Sequence, residues 1–408
     1  MRSLICLLLL SIGCVHADDL SFTAALQLAE QSTPLLAAES AKIEAARASA
    51  IPAAALPDPK LLLGVENVPV SGPDRGNLNN DFMTMEKIGV MQEFTNADKR
   101  RARADIANAA VARALAEKSI VRQKIRADVA QAWLQVFYTE QQRQLFDALA
   151  HENTLLLQAA NAQLAGGKGT GADALLPREE ALTLADRRDV LAQQINGARA
   201  QLAQWIGNDA YLPLTGDAPE LPIEANALNK NLHRHPELAA YAPMTQQAEA
   251  ELREAQAQKK SDWGVELAYQ RRGPLYADMV SVQVTYDLPI FSGSRQNPII
   301  DAKKHALEKI DSERTAMLRE HVAELVAETA QYRALTAQLQ RLREARLPLA
   351  RQKIELTLAG YRAAQTELAA VIGARRDLLE LQLRENELER EQRQLAAKLF
   401  YAYEEVAP

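Results

Sequence analysis

Cysteine is almost absent from this chain. Its 408 residues include two, Cys6 and Cys14, both within the first fourteen positions. A mature chain starting at Asp18 thus has no disulfide and no thiolate metal site. Aromatic side chains are scarce as well, at 5%, while Ala, Leu, Gln, Glu and Arg abound. That balance fits long, coiled-coil-like helices and argues against a compact α/β enzyme. Basic charge is not in excess, the net charge being −6, which excludes a nucleic-acid-binding surface. An apolar fraction of 48% excludes disorder. Beyond the N-terminus, no stretch approaches the roughly 18 apolar residues of a transmembrane helix.

Signs of chemistry are missing too. No G-x-S-x-G elbow or comparable nucleophile–base signature occurs. His233 and His235 stand two apart in a loop, and His151, His305 and His321 are scattered along long helices. None of these spacings is that of a closed metal site. Met83, Met85 and Met91 offer thioethers that suit a soft ion, but methionines at a strand–loop boundary need no such role. No catalytic residue, cofactor or metal site is expected, and the chain reads as a non-enzyme.

The first residues, MRSLICLLLLSIGCVHA, combine Arg2, an apolar run from Leu4 to Ile12 and small residues before Asp18. This pattern predicts a signal peptide over 1–17, too short to span a bilayer. An alternative has Cys14 acylated after Ser11-Ile12-Gly13, although the usual large aliphatic residue three positions earlier is lacking. An exported chain without a spanning helix is either periplasmic or an outer-membrane barrel.

The rest of the chain repeats itself. Thr33-Pro34-Leu35-Leu36-Ala37-Ala38 returns as His235-Pro236-Glu237-Leu238-Ala239-Ala240, 202 positions later. Arg100 matches Arg295 at an offset of 195, and Leu164 matches Tyr361 at 197. Three anchors at nearly one offset imply two structural halves, 18–207 and 232–408, joined by a linker over 208–231. Each half is predicted to run helix (20–55; 236–260), two strands, very long helix (98–164; 299–358), turn, helix (172–206; 366–402). At 1.5 Å per residue the first long helix would measure about 100 Å. Its stripe Ile125, Val129, Ala132, Trp133, Val136 has helical spacing and marks a buried face. No globular core is that deep, so such helices must pack side by side as a tube or rod.

Strands are predicted over 60–66 and 88–94 in the first half and over 263–270 and 279–288 in the second. Trp263, Val265, Leu267 and Tyr269 alternate with Gly264, Glu266, Ala268 and Gln270. Val282, Val284 and Tyr286 alternate with Ser281, Gln283 and Thr285. One apolar and one polar face suit a membrane barrel, with aromatics at the interfaces and the apolar set toward lipid. Four strands cannot close a barrel, and open edges are not tolerated in lipid. Several chains must then share one barrel.

Glycine is sparse elsewhere but clustered in Ala165-Gly166-Gly167-Lys168-Gly169-Thr170-Gly171. A phosphate cradle would need Ser or Thr directly after the lysine and a strand before the loop. Here Gly169 follows Lys168, a helix precedes it, and the second copy, Tyr361-Arg362-Ala363-Ala364, has no glycine. The cluster reads as a tight turn between helices, where glycine permits a left-handed residue and a close approach.

Taken in order, these halves resemble the outer-membrane efflux factors, the TolC-like channels, over essentially the whole mature chain. The local marks are Leu20-Ser21-Phe22-Thr23-Ala24-Ala25-Leu26 with Thr33-Pro34, Met91-Gln92-Glu93-Phe94 before Lys99-Arg100, and the turns at 164–173 and 359–370. Asp58-Pro59-Lys60-Leu61 with Glu66-Asn67-Val68-Pro69 is similar to the heavy-metal, cobalt-zinc-cadmium branch. The resemblance implies a mainly α fold with four strands per chain, in a homotrimer whose twelve strands form an outer-membrane β-barrel above a periplasmic helical tunnel. It further implies efflux of heavy-metal cations with a periplasmic adaptor and an inner-membrane pump of the resistance-nodulation-division class. Drug efflux, type I secretion and, in another class, a periplasmic coiled-coil adaptor or scaffold are the alternatives.

By the same resemblance, 67–87 and 271–278 are external loops and the linker is a belt around the tunnel. Gly166, Gly167, Gly169 and Thr170, with Tyr361, Arg362, Ala363 and Ala364, form the tip where the adaptor docks. Family members often close this tip with acidic side chains tied by a tyrosine and a basic residue. Tyr361 and Asp173 match that pattern, but the usual second-half acids fall on Ala370 and Gly373 and the basic position on Thr366. The candidate gate here is therefore Asp173, Tyr361, Arg362, Glu367 and Arg375.

Overall fold

The computed structural model describes residues 19–167, 170–363 and 365–403, with only the backbone of Asp173, Ala225 and Asn226. The expected signal peptide, with Cys6 and Cys14, lies outside the described residues. Among the described residues the chain is mostly helical, with four strands. In order it forms α1 (Phe22–Ser32), α2 (Pro34–Ala50), β1 (Lys60–Glu66), β2 (Met85–Phe94), α3 (Ala97–Ala165) and α4 (Gly171–Ile206). Then come α5 (Ala225–Asn231), α6 (Pro236–Ala239), α7 (Tyr241–Ala257), β3 (Trp263–Arg272) and β4 (Met279–Tyr286). Helices α8 (Gln296–Arg341), α9 (Leu347–Arg362) and α10 (Leu368–Tyr403) follow.

Three long helices expected from the sequence are interrupted, each beside a proline. The stretch 20–55 divides at Thr33, whose backbone is extended (ψ 121°) because Pro34 disfavours helical geometry in the residue before it. The Thr33 hydroxyl donates to the Ala29 carbonyl and closes the end of α1. The stretch 236–260 divides at Ala240, with Pro243 in the first turn of α7, where a missing N–H is harmless. The stretch 299–358 contains a π-helical turn, Leu342–Arg346, just ahead of Pro348. One extra residue in that turn absorbs the bond that proline cannot make.

Two compact units are present. One comprises Met1–Pro34, Val121–Leu232 and Val322–Pro408. Its core holds the predicted stripe: Ile125, Val129, Trp133 and Val136 are all fully buried. The Trp133 ring meets Phe22 of α1 edge-on at 5.4 Å. Further along, Leu156 and Ala160 of α3 pack with Leu368, Val371 and Ile372 of α10. Helix α4 ends at Ile206; Gly207, which is left-handed (φ 64°), opens a short 3-10 turn over Gly207–Tyr211, and the chain extends from Leu212. There Pro213 accepts from the Leu20 amide at 2.8 Å, pinning the start of the linker to the chain's first described residues.

The other unit comprises Leu35–Ile120 and His233–His321 and contains the sheet. Strand order is β1-β2-β3-β4, every pair antiparallel. Strand β2 and the start of α3 are fixed to β3 through Asp262, which accepts from the Asn96 amide at 2.7 Å and from Lys99 Nζ at 2.8 Å. Each unit draws on both halves of the sequence: β2 pairs with β3 in one, and α3 packs with α10 in the other.

Candidate functional site

The sheet sorts its side chains by face. Register places Leu63, Ile88, Tyr269 and Val280 in one row across the four strands, and Leu61, Val90, Leu267 and Val282 in the next. All eight are exposed, between 45% and 71%. Of the residues expected to face lipid, Trp263, Leu267, Tyr269, Val282, Val284 and Tyr286 are exposed and Val265 is half-buried. Alternation puts all seven on one face with Leu61, Leu63, Ile88 and Val90. Trp263 stacks on Phe94 at 4.2 Å.

The opposite face is polar. Lys87 pairs with Glu266 at 2.5 Å and with Glu66 at 3.1 Å, across three strands. Gly89 and Ala268 lie between these charges, so close that a side chain on Gly89 would meet the Ala268 Cβ at 2.8 Å. Among the described residues β1 and β4 each pair on one side only. An apolar outer face, a charged inner face and two open edges together describe an incomplete barrel wall. The sequence had started the second strand at 88; pairing carries it back to Met85, opposite Glu66 and Arg272.

The two turns lie in the other unit. Gly166 and Gly167 close α3 through the Ala162 and Leu164 carbonyls at 3.0 and 3.1 Å, and Gly167 is left-handed (φ 69°). A Cβ on Gly167 would meet nothing within 4 Å. Thr170, next to the N-terminus of α4, is exposed. Gly169 and Ala364 lie outside the described residues, as does the side chain of Asp173. In the second turn Gln365 donates its amide to the Gly360 carbonyl at 2.8 Å. Thr366 folds over Gly360, where any added Cβ would meet Thr366 Oγ1 at 2.8 Å. Gly360 lies inside the turn expected over 359–370, one residue before the stretch that aligns with the first turn.

Of the candidate gate residues, Tyr361 joins the two turns: its hydroxyl donates to Gln163 Oε1 of α3 at 2.6 Å. Arg375 pairs with Glu152 at 3.1 Å. Arg362 and Glu367 are exposed, as is Ala363 of the expected docking tip.

One assembly of side chains was not foreseen. The histidines that looked scattered are not all apart: His235, Glu237 and His321 offer ligand atoms that all lie within 4.8 Å of one another. All three belong to the unit that holds the sheet. His235 caps α6, its Nδ1 accepting the Glu237 amide at 3.3 Å. His321 reaches in from α8, with Nε2 3.0 Å from Glu237 Oε2. No sequence spacing reveals this, since the two histidines are 86 positions apart on different elements.

The chain matches no family profile. It is 26% identical over 381 residues to the cobalt-zinc-cadmium resistance protein CzcC of Cupriavidus metallidurans, covering 90% of this chain and 86% of that one. Among solved structures it is similar to the outer membrane protein VceC of Vibrio cholerae (TM-score 0.76, 18% identity, 94% and 95% of the two chains). It is similar too to CusC, a protein that forms a transmembrane channel (TM-score 0.78, 13% identity, 94% and 92% covered). The fold is thus that of outer-membrane channels along nearly the whole chain.

Proposed function

We propose that this chain, a member of the TolC-like outer-membrane efflux channels, is the channel of a tripartite system that exports heavy-metal cations across the outer membrane. The observation that carries the reading is the chain-long likeness to the cobalt-zinc-cadmium resistance protein. The chain is a conduit and not an enzyme, and its place is the outer membrane with its helices in the periplasm. Each chain contributes four strands to a shared barrel, and twelve strands from a homotrimer leave room for an aqueous bore. The open edges of β1 and β4 support such sharing, because lipid supplies no hydrogen bonds to an unpaired strand.

The exposed apolar face carrying Leu267, Val282 and Val284 is the lipid-facing surface, and the face with Lys87 and Glu266 lines water. The two halves, 18–207 and 232–408, are structural repeats with 208–231 as the belt between them. The turns at Gly166-Gly167 and Arg362-Ala363 form the tip that receives a periplasmic adaptor, which in turn joins an inner-membrane pump. Tyr361, Arg375 and their neighbours hold that tip closed at rest. A deletion strain, challenged with a panel of metal salts and organic toxicants, tests the reading. Selective sensitivity to divalent heavy metals is the expected result. Sensitivity to organic compounds alone would move the chain to the drug-efflux branch.

A further inference from the structure

The polar cluster at His235, Glu237 and His321 has no part in the barrel wall or in the tip. His235 is 7% exposed and His321 5%. Their rings approach to 4.1 Å between centroids at an angle of 42°. Placing two imidazoles together in a buried position has a desolvation cost that a single structural His–Glu pair would avoid. The Glu237 carboxylate is different: its side chain is 42% exposed. The cluster therefore has a buried two-nitrogen base and one carboxylate that reaches solvent.

We propose that His235, Glu237 and His321 form a binding site for a divalent cation of the zinc type. Two imidazole nitrogens and one carboxylate oxygen are a donor set that such ions take in four-coordinate sites, with a fourth position left for water. Around one tetrahedral ion of this kind, neighbouring ligand atoms lie about 3.4 Å apart. The observed span, 3.0 Å between Nε2 of His321 and Oε2 of Glu237 and at most 4.8 Å across the set, brackets that value. Side-chain adjustments of a few tenths of an ångström close it. The exposed edge at Glu237 gives an entry path and the open coordination position.

The surroundings favour a cation. Tyr241 on α7 has its phenol pushed above the usual range by burial and then by Glu313, Glu237 and Glu320, so Glu313 and Glu320 add to the negative potential of Glu237 near this tyrosine. Backbone and side chains also hold the ligands in place. The Glu237 amide orients the His235 ring, and Pro236 fixes the start of the short helix that carries Glu237. Such preorganisation keeps the entropy cost of binding low. The site needs these residues alone and does not depend on what the channel exports.

The test uses the full-length protein, purified in detergent and stripped with a chelator. Titration with Co2+ alone is expected to give the visible d–d bands of a four-coordinate ion, saturating at about one ion per chain. Zn2+ should displace it. H321A and H235A should abolish the bands, and E237Q should weaken affinity roughly ten-fold or more. H305A removes an exposed histidine paired with Glu308 three residues on, and should leave binding unchanged. Should either alanine variant fail to fold, His321→Asn keeps a polar group in the pocket while removing the ligand. Wild-type protein that takes up no stoichiometric Co2+ or Zn2+, or variants that bind as it does, would overturn the proposal. Loss of binding in His321→Asn with metal resistance intact would uphold the site and place it apart from transport; wild-type binding with no resistance phenotype on deletion would sink the export reading alone.

Discussion

Tyr361, near the end of α9, donates its hydroxyl to Gln163 near the end of α3, 198 residues earlier. The ring of Tyr361 also packs on the cluster of Leu156, Leu368 and Val371. One side chain thus joins the turn of the first half to the turn of the second. Tyr361→Phe keeps the ring and its packing and removes only the hydroxyl, leaving Gln163 without that donor. The net loss is about 0.5–1.5 kcal/mol, too little to unfold the chain but enough to shift a closed–open balance several-fold. Recorded in planar bilayers, the variant should spend more time in its conducting state than the wild type. Identical open-time distributions would remove Tyr361 from the gate.

Val282 and Gln283 are neighbours on β4 and point to opposite faces of the sheet. Val282 stands opposite Leu267 in the apolar row, and Gln283 stands opposite Glu266 on the charged face. An arginine at Val282 would have to enter hydrocarbon if that residue lies near the bilayer midplane, at a cost of about 2–4 kcal/mol. An arginine at Gln283 meets water and the Glu266 carboxylate. Outer-membrane yield of the assembled protein should fall sharply for Val282→Arg and stay near normal for Gln283→Arg. Equal yields would mean that the assigned phase of the strand is wrong.

That phase was legible in the sequence because alternation is local: Trp263, Val265, Leu267 and Tyr269 need no partner to declare a face. The long helices were legible for the same reason, through stripes such as Ile125, Val129 and Trp133. Their interruptions were less so. The stretch 20–55 was expected as one helix, whereas Thr33 ends one helix and Pro34 begins another. The π-turn Leu342–Arg346 had one local sign, Pro348 inside the helix expected over 299–358, but a proline alone does not say which distortion it brings. The histidine cluster was invisible, since His235 and His321 become neighbours only when α8 packs beside α6. Tyr361 was named for the gate by resemblance, but its partner Gln163 is a residue type with no signature.

Asp128 lies half-buried on α3, and burial pushes its carboxyl above the usual range against the partial pull of Lys124. A folded-state pKa above the unfolded one means that the folded chain binds this proton more tightly. Stability therefore falls as pH rises from the unfolded toward the folded pKa, and stays lower above both. At neutral pH the ionised carboxylate is a liability that Asp128→Asn would remove. The variant should melt at a higher temperature than the wild type at neutral pH, and the gap should narrow in acid. A lower melting temperature for the variant, or a gap that widens in acid, would show that Asp128 has a partner in the assembled channel.

Gly167 separates backbone strain from docking. It is left-handed, and a side chain there would extend into open space. A β-branched residue in that conformation costs about 1–2 kcal/mol, confined to one turn of the unit that lacks the sheet. Gly167→Val should therefore leave protein abundance and membrane insertion near normal. Asparagine tolerates the left-handed region far better than valine, so Gly167→Asn adds similar bulk with little strain. If an adaptor's backbone comes close at this turn, both variants should lose efflux-dependent resistance and crosslinking to the adaptor, despite their different strain. If the glycine serves only the turn, Asn should restore what Val destroys. Bulky residues at Ala363 should behave as Gly167→Asn does, because both turns would face the adaptor in alternation around a trimer. Full resistance in Gly167→Asn, with normal crosslinking, would exclude this turn from the docking surface.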